Sequence, residues 1–207
     1  MNSGRASSPA TRRKETTAEF HRVAPKTPGQ RPLLHVDGGI IVGAMIRLFW
    51  AITLLNWATL LSAAGLGYLH VWGRLPAAAA GAHVLAGAIA SVVCVAVHCV
   101  VFTYFIATAK WAQHAVSLKN LDSHLLAGTQ SFKAQAFPAA LAAMATVFLA
   151  AIFGVLLDAG YAVPRNVHLA LAWTALAVNL AAAAFEASAI GRNSKLIDVI
   201  LAKINLT

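Results

Sequence analysis

The chain of 207 residues is 59% hydrophobic and 11% charged, with sixteen Lys and Arg against seven Asp and Glu. Soluble domains carry about 25% charged residues, so this composition excludes an ordinary soluble enzyme and favours a membrane protein. The basic excess does not indicate a nucleic-acid partner, because the basic segment lacks interleaved aromatic residues and any binding motif.

Residues 1–39 are rich in Ser, Thr and Pro, and they contain seven of the sixteen Lys and Arg. This segment has no apolar periodicity and too little apolar surface to bury a core. We predict that it is a disordered basic cytoplasmic arm.

Residues 40–190 contain four long apolar stretches, at about 44–69, 77–109, 137–157 and 167–187. A bilayer core about 30 Å thick is crossed by roughly 20 apolar residues in helical form. Four such stretches cannot all be buried inside one soluble core of this size. The sequence therefore predicts an all-α integral membrane protein, folded as a four-transmembrane-helix bundle.

Prolines mark the expected helix starts, with Pro76 before the second span, Pro138 at the start of the third and Pro164 before the fourth. Proline suits the first helical turn because its missing N–H needs no partner there. In the connection 112–136, apolar residues are spaced as in a short amphipathic helix on the cytoplasmic leaflet. Residues 191–207 repeat the pattern and are predicted to form an amphipathic cytoplasmic tail.

The remaining basic residues predict the orientation of the spans. The connection after the second span and the segment after the fourth carry three each, whereas the other two connections carry only Arg74 and Arg165. Because cytoplasmic loops retain Lys and Arg, we predict that both termini are cytoplasmic. The expected location is the cell membrane as a multi-pass protein, which in a bacterium is the inner membrane.

His83 and His168 are the candidate cofactor ligands. Each lies early in a helix that begins at the outer surface, so the two are expected at similar depth, where facing helices would let them bind the iron of haem b from both sides. Gly87, one turn below His83, would let a flat macrocycle approach the backbone. The alternatives are interfacial, hydrogen-bonded histidines that bind nothing, or a proton relay.

His98 lies deeper in the second span, about 22 Å along the helix from His83. A second bis-histidine haem at that depth would need a histidine from another subunit. A simpler hypothesis pairs His98 with Asn56 or Asn179 in a hydrogen bond that holds helices together.

The inner half of the second span also carries the hydroxyl groups of Thr103, Tyr104 and Thr108. Together with His98 they would line a pocket for a quinone headgroup, whose carbonyl oxygens accept hydrogen bonds. Alternatively, each threonine bonds its own helix and Tyr104 anchors the helix at the interface.

The other reactive side chains do not form a recognisable catalytic set. Asp158 and Glu186 are expected at span ends on opposite sides of the membrane, which excludes an acid and base pair. Either Arg192 or a lipid headgroup amine is expected to neutralise Glu186. Cys94 and Cys99 point about 140° apart on one helix, which excludes a bond between them within that helix. We expect both thiols to be buried.

These patterns favour an integral membrane subunit or accessory protein of a larger assembly, without evident catalytic activity, whose partners are lipid and other membrane subunits. The alternative is a b-type haem or quinone-binding electron-transfer subunit that uses His83, His168 and His98. A small transporter is disfavoured because no span is interrupted at mid-membrane. The two hairpins share a proline before their second helix and a histidine within it, as a duplicated unit would.

Overall fold

The computed structural model describes residues 38–74, 76 and 80–206. They form four long α-helices and one short 3-10 helix, and no β-strand occurs among them. The α-helices are α1 (Gly38–Val71), α2 (Ala80–Leu118), α3 (Ala127–Asp158) and α4 (Arg165–Leu206), and the 3-10 helix is Ser123–Leu126.

All four α-helices are long and apolar enough to cross a membrane. A helix suits such sequences because it satisfies the backbone N–H and C=O groups within the segment itself. The predicted all-α class with four candidate spans is thus confirmed. The predicted arm over 1–39 lies outside the described residues, except for Gly38 and Gly39, which begin α1.

The helices pack in sequence order, α1 on α2, α2 on α3 and α3 on α4, and α1 also packs on α4. Short connections make consecutive helices antiparallel. The amino ends of α2 and α4 therefore lie at the same end of the bundle, which we call the histidine end because it holds His83 and His168. The connection between α2 and α3 lies at the opposite end.

The two turns at the histidine end are built alike. Gly73 follows α1 with a φ of 64°, and Gly160 follows α3 with a φ of 82°. Glycine adopts this left-handed conformation without steric cost, which makes it a common end to a helix. In each turn the N–H of the next residue donates to a carbonyl in the last helical turn, over 2.9 and 3.0 Å.

Small side chains fill much of the interior. The buried hydrophobic residues of α3 are alanines apart from Val147, and small residues let helices approach closely in lipid. Larger buried side chains form a cluster toward the opposite end, which we call the aromatic layer: Phe49, Val101, Tyr104, Phe105 and Ile190.

Two helices extend further than predicted. α3 begins at Ala127, so Pro138 lies inside the helix, and the predicted start of this helix is wrong. Proline removes one main-chain hydrogen bond, but packing holds the residues around it in place: the ring of Phe137 meets that of Phe102 in α2, with centres 4.7 Å apart. α2 likewise continues to Leu118.

The segment 191–207 is not a separate element, because α4 runs without a break to Leu206. Its apolar side packs on protein, where Ile200 is fully buried in a cluster with Ala112 and Ala115 of α2. The apolar spacing correctly indicates a helix with one buried side. That side is covered by the bundle.

Candidate functional site

His83 is the fourth residue of α2, and its ring lies against α1. Its Nδ1 is 3.0 Å from the main-chain oxygen of Ala63. Because a carbonyl oxygen can only accept, Nδ1 carries the hydrogen of this bond. One turn along α1, Gly67 makes room for the ring, since a Cβ there would lie 2.6 Å from His83 Cε1, well inside ordinary contact distance.

His168, the fourth residue of α4, repeats this arrangement against α3. Its Nδ1 is 3.0 Å from the main-chain oxygen of Ala150, and a Cβ on Gly154 would lie 2.8 Å from His168 Cε1. Ala150 and Gly154 each follow their counterparts in α1 by 87 residues. The two hairpins therefore present their histidines through the same contacts.

The structure brings His83 and His168 together. Their ring centres are 6.1 Å apart and their planes are inclined by 70°. Because a main-chain carbonyl occupies each Nδ1, each ring keeps Nε2 for another ligand. His70 of α1 joins the pair, with its ring stacked on His83 at 6.5 Å between centres.

Two histidines alone do not make a closed metal site. Among the described residues, no group of three or more His, Cys, Asp or Glu is placed to hold a metal ion. A metal bound by His83 and His168 would need its other donors from elsewhere, and the nitrogens of a porphyrin would supply them.

His98 pairs with Glu186 and not with an asparagine. His98 Nδ1 lies 2.7 Å from Glu186 Oε1, and both side chains are almost completely buried. The predicted partners Asn56 and Asn179 are therefore wrong, as is the neutralisation of Glu186 by Arg192, which bonds to α3. Since α4 continues for twenty residues beyond Glu186, this carboxyl group lies inside the bundle and needs a buried partner.

Asn56 and Asn179 bond to each other instead. Asn56 Nδ2 donates to Asn179 Oδ1 over 3.2 Å, Asn179 Nδ2 lies 3.4 Å from the oxygen of Ala143 in α3, and Cys94 Sγ lies 3.5 Å from Asn179 Oδ1. We call Asn56, Cys94 and Asn179 the asparagine layer.

Both cysteines are free, but Cys99, which was expected to be buried, is exposed.

Tyr104 belongs to a separate buried network. Asn193 Nδ2 donates to Tyr104 Oη over 3.1 Å and to Thr108 Oγ1 over 3.0 Å. Thr103 is exposed and donates to a carbonyl of its own helix. The structure therefore does not gather these hydroxyl groups and His98 into one quinone pocket.

Sequence reasoning overlooked the two glycines beneath the rings. Gly67 and Gly154 each lie six residues before the turn glycine of their hairpin, a match that aligning the hairpins with each other would have shown. Gly87, which was chosen instead, has open space beside it, since a Cβ there would meet no atom within 4 Å.

Comparison with known proteins supplies no relative: no family model matches the chain, and no curated protein or solved structure matches it.

Proposed function

We propose that this protein is a b-type cytochrome of the membrane, which transfers electrons as part of a larger assembly. Haem b would be held at the histidine end by Nε2 of His83 and Nε2 of His168, one on each side of the iron. The observation that carries the proposal is the 6.1 Å between the two ring centres. A haem bound there supplies one-electron transfer.

The distance agrees with coordination of one metal by both rings. Opposed imidazole ligands place their centres about 6.4 Å apart, because each metal–nitrogen bond is about 2 Å and the nitrogen lies about 1.2 Å from its ring centre. Free aromatic rings also pack with centres about 4.5–7 Å apart. The hydrogen bonds of the rings therefore matter as much as the distance.

Both rings are hydrogen-bonded in the way that metal ligands are. A histidine that binds metal through one nitrogen usually donates its other N–H to a carbonyl or carboxylate, which fixes the tautomer and the ring orientation. His83 and His168 do this through Ala63 and Ala150, each over 3.0 Å. Both are thus oriented with Nε2 as the free nitrogen.

Glycines on the neighbouring helices make room for both rings. Gly67 and Gly154 keep side chains out of the space that the imidazoles occupy, and Gly87 leaves open space one turn along α2 from His83. Cofactor sites in helical bundles are built in this way, from inward side chains on facing helices.

A multi-pass position in the cell membrane, in a bacterium the inner membrane, completes the proposal. Four helices of sufficient length and apolarity support it. The distribution of Lys and Arg favours cytoplasmic termini, which places the histidine end toward the outer surface. Other membrane subunits would deliver and accept the electrons.

A structural subunit or accessory protein without a cofactor is the second candidate. The same Nδ1 bonds tie α2 to α1 and α4 to α3, and such bonds stabilise helix pairs in lipid by about 0.6–2 kcal/mol each. This candidate explains the hydrogen bonds. It gives no use to the two free Nε2 atoms, on rings whose centres lie 6.1 Å apart.

An absorption spectrum separates the two candidates. The full chain, made in cells supplied with a haem precursor and purified in detergent, should show a Soret band, a sharp α band on reduction, and about one haem per chain by pyridine haemochrome assay. His83→Ala and His168→Ala should each abolish low-spin bis-histidine coordination.

The control is His124→Ala, which changes an exposed histidine of the 3-10 helix and should leave the spectrum unaltered. Failure to bind haem during expression and after addition of haemin, by a chain that is helical and unfolds cooperatively, would refute the cytochrome and favour the structural subunit.

A further inference from the structure

A second polar centre lies inside the bundle, away from the histidine end. α2 supplies His98, α4 supplies Glu186, and α1 supplies Thr53 and Asn56, all of them buried. His98 and Glu186 are joined through Nδ1 and Oε1. Polar groups at such depth are costly unless each one is hydrogen-bonded.

Three of the atoms in this centre are not paired with protein. Thr53 Oγ1, Asn56 Oδ1 and His98 Nε2 are the buried side-chain atoms that have no hydrogen-bond partner within the part of the chain described. Each of these side chains is at least 96% buried. Within residues 38–74, 76 and 80–206, the other buried side-chain nitrogen and oxygen atoms have partners, so these three stand apart.

The helices place the three atoms at one level. Thr53 precedes Asn56 by one turn in α1, and His98 follows Cys94 by one turn in α2. Because α1 and α2 are antiparallel, both steps lead from the asparagine layer in the same direction, by about 4.5 and 6 Å. Thr53 and His98 thus lie at similar depth along the bundle axis, about one helical turn from Asn56.

The next turn in the same direction is apolar. On α1, Phe49 precedes Thr53 by four residues, while on α2 and α4 Val101 and Ile190 follow His98 and Glu186 by three and four; all three belong to the aromatic layer. The polar centre is therefore bounded by the asparagine layer on one side and by packed apolar side chains on the other.

We propose that one water molecule binds between Thr53 Oγ1, Asn56 Oδ1 and His98 Nε2, and that Glu186, His98 and this water form a site that holds one exchangeable proton. The water oxygen accepts from His98 Nε2–H, and its two hydrogens donate to Asn56 and Thr53. A single water thereby satisfies all three orphaned atoms, within the two to four partners usual for buried water.

One proton on the pair of His98 and Glu186 makes the centre electrically neutral, as imidazolium beside carboxylate or as imidazole beside carboxylic acid. In exchange, Nε2 gives its hydrogen to the water oxygen and takes another hydrogen from the same water, so that charge and atoms balance.

Cys94 is the other ionisable side chain shown beside this centre. α1 presents Thr53 and Asn56, which do not ionise. The site does not depend on haem.

The test is solid-state NMR of the full chain in lipid bilayers, with histidine labelled by ¹⁵N. Water-edited spectra should show magnetisation transfer from water to His98 Nε2, assigned through its loss in His98→Gln. After transfer to D₂O, the N–H hydrogens of the His98 ring should exchange within minutes, while the amide hydrogens of neighbouring Val97 and Val101 remain. These measurements use the unmodified chain, so a variant that does not fold cannot obscure them.

Thr53→Val removes one water ligand at nearly constant shape and should reduce the water transfer to Nε2 several-fold. Thr103→Val, on the exposed side of α2, is the matched control and should not change it. Two results would show a dry structural ion pair and overturn the proposal. One is the absence of water transfer to Nε2 in the unmodified chain, and the other is exchange of the His98 ring N–H hydrogens as slow as that of the Val101 amide.

Discussion

Gly67 is the residue at which the position of an imidazole ring can be altered most directly. Gly67→Ala should shift the His83 ring, because the new Cβ would lie 2.6 Å from its Cε1. Overpacking of this kind costs about 1–3 kcal/mol, and the bond to Ala63 would weaken as well. We expect a lower thermal unfolding temperature in detergent, together with loss of haem where the chain binds it.

Gly65→Ala, two residues away on α1, is the matched control. A Cβ there would meet no atom within 4 Å, so the variant should be as stable as the unmodified chain or more stable by about 0.5–1 kcal/mol, the helical preference of alanine over glycine. Equal destabilisation by both variants would contradict the close packing of His83 on Gly67.

Asn179 of α4 is a polar residue whose side chain contacts all three of the other long helices. Its side chain meets Asn56 of α1, Cys94 of α2 and the main chain of α3 at Ala143. Asn179→Ala should destabilise the fold by about 1–3 kcal/mol, because it leaves the Asn56 amide buried and unpaired. Thermal unfolding in detergent measures this.

Asn205→Ala changes an exposed residue in the last turn of α4 and should have almost no effect on the unfolding temperature.

In the double variant of Asn56→Ala with Asn179→Ala, the losses of stability should be less than additive, since one bond is counted in both single variants. Strict additivity would show that this bond contributes nothing.

At the scale of the helices, packing of the α4 end on α2 can be tested with two adjacent residues. Ile200 is fully buried, whereas its neighbour Val199 is 46% exposed. Ile200→Ala should lower stability by about 2–5 kcal/mol through the cavity that it leaves, and Val199→Ala should change it little. Equal effects in thermal unfolding would mean that the end of α4 lies on lipid, as the sequence alone suggested.

Helix number was predictable because it follows from the length of each apolar stretch, but helix ends were not. Local preference places proline in the first turn and so predicts a helix start at Pro138, while packing against α2 keeps the chain helical before it. For the segment after Gly191 the apolar spacing predicts a helix on the membrane surface, but its packing on α2 depends on contacts that a single sequence does not display.

The pairing of side chains between helices was predictable only in part. His83 and His168 could be matched because each is the same short distance from a turn. The partner of His98 could not, because the predicted fourth span ended at residue 187 and put Glu186 at a membrane surface. Choosing between Asn179 and Glu186 requires the rotation of α4 about its axis, which periodicity does not give for a helix that is apolar on most sides.

At the scale of the whole molecule, the two hairpins are related by an approximate twofold repeat. Turn glycines, ring-supporting glycines and carbonyl acceptors in α1 and α3 are each 87 residues apart, and the two histidines are 85 residues apart. The repeat is parallel, since both hairpins run from the opposite end to the histidine end and back. A parallel repeat places equivalent residues at one depth. Two histidines that bind one cofactor from opposite faces would need this placement.

The orientation of this repeat in the membrane is the remaining prediction, and cysteine labelling tests it. In a chain with Cys94→Ala and Cys99→Ala, the exposed Arg74 and Lys119 are replaced singly by cysteine. A membrane-impermeant maleimide should label Arg74→Cys in intact cells but Lys119→Cys only after lysis, because the distribution of Lys and Arg predicts a cytoplasmic connection between α2 and α3. The reverse pattern would place the histidine end inside, so that a haem held there would exchange electrons with cytoplasmic rather than external partners.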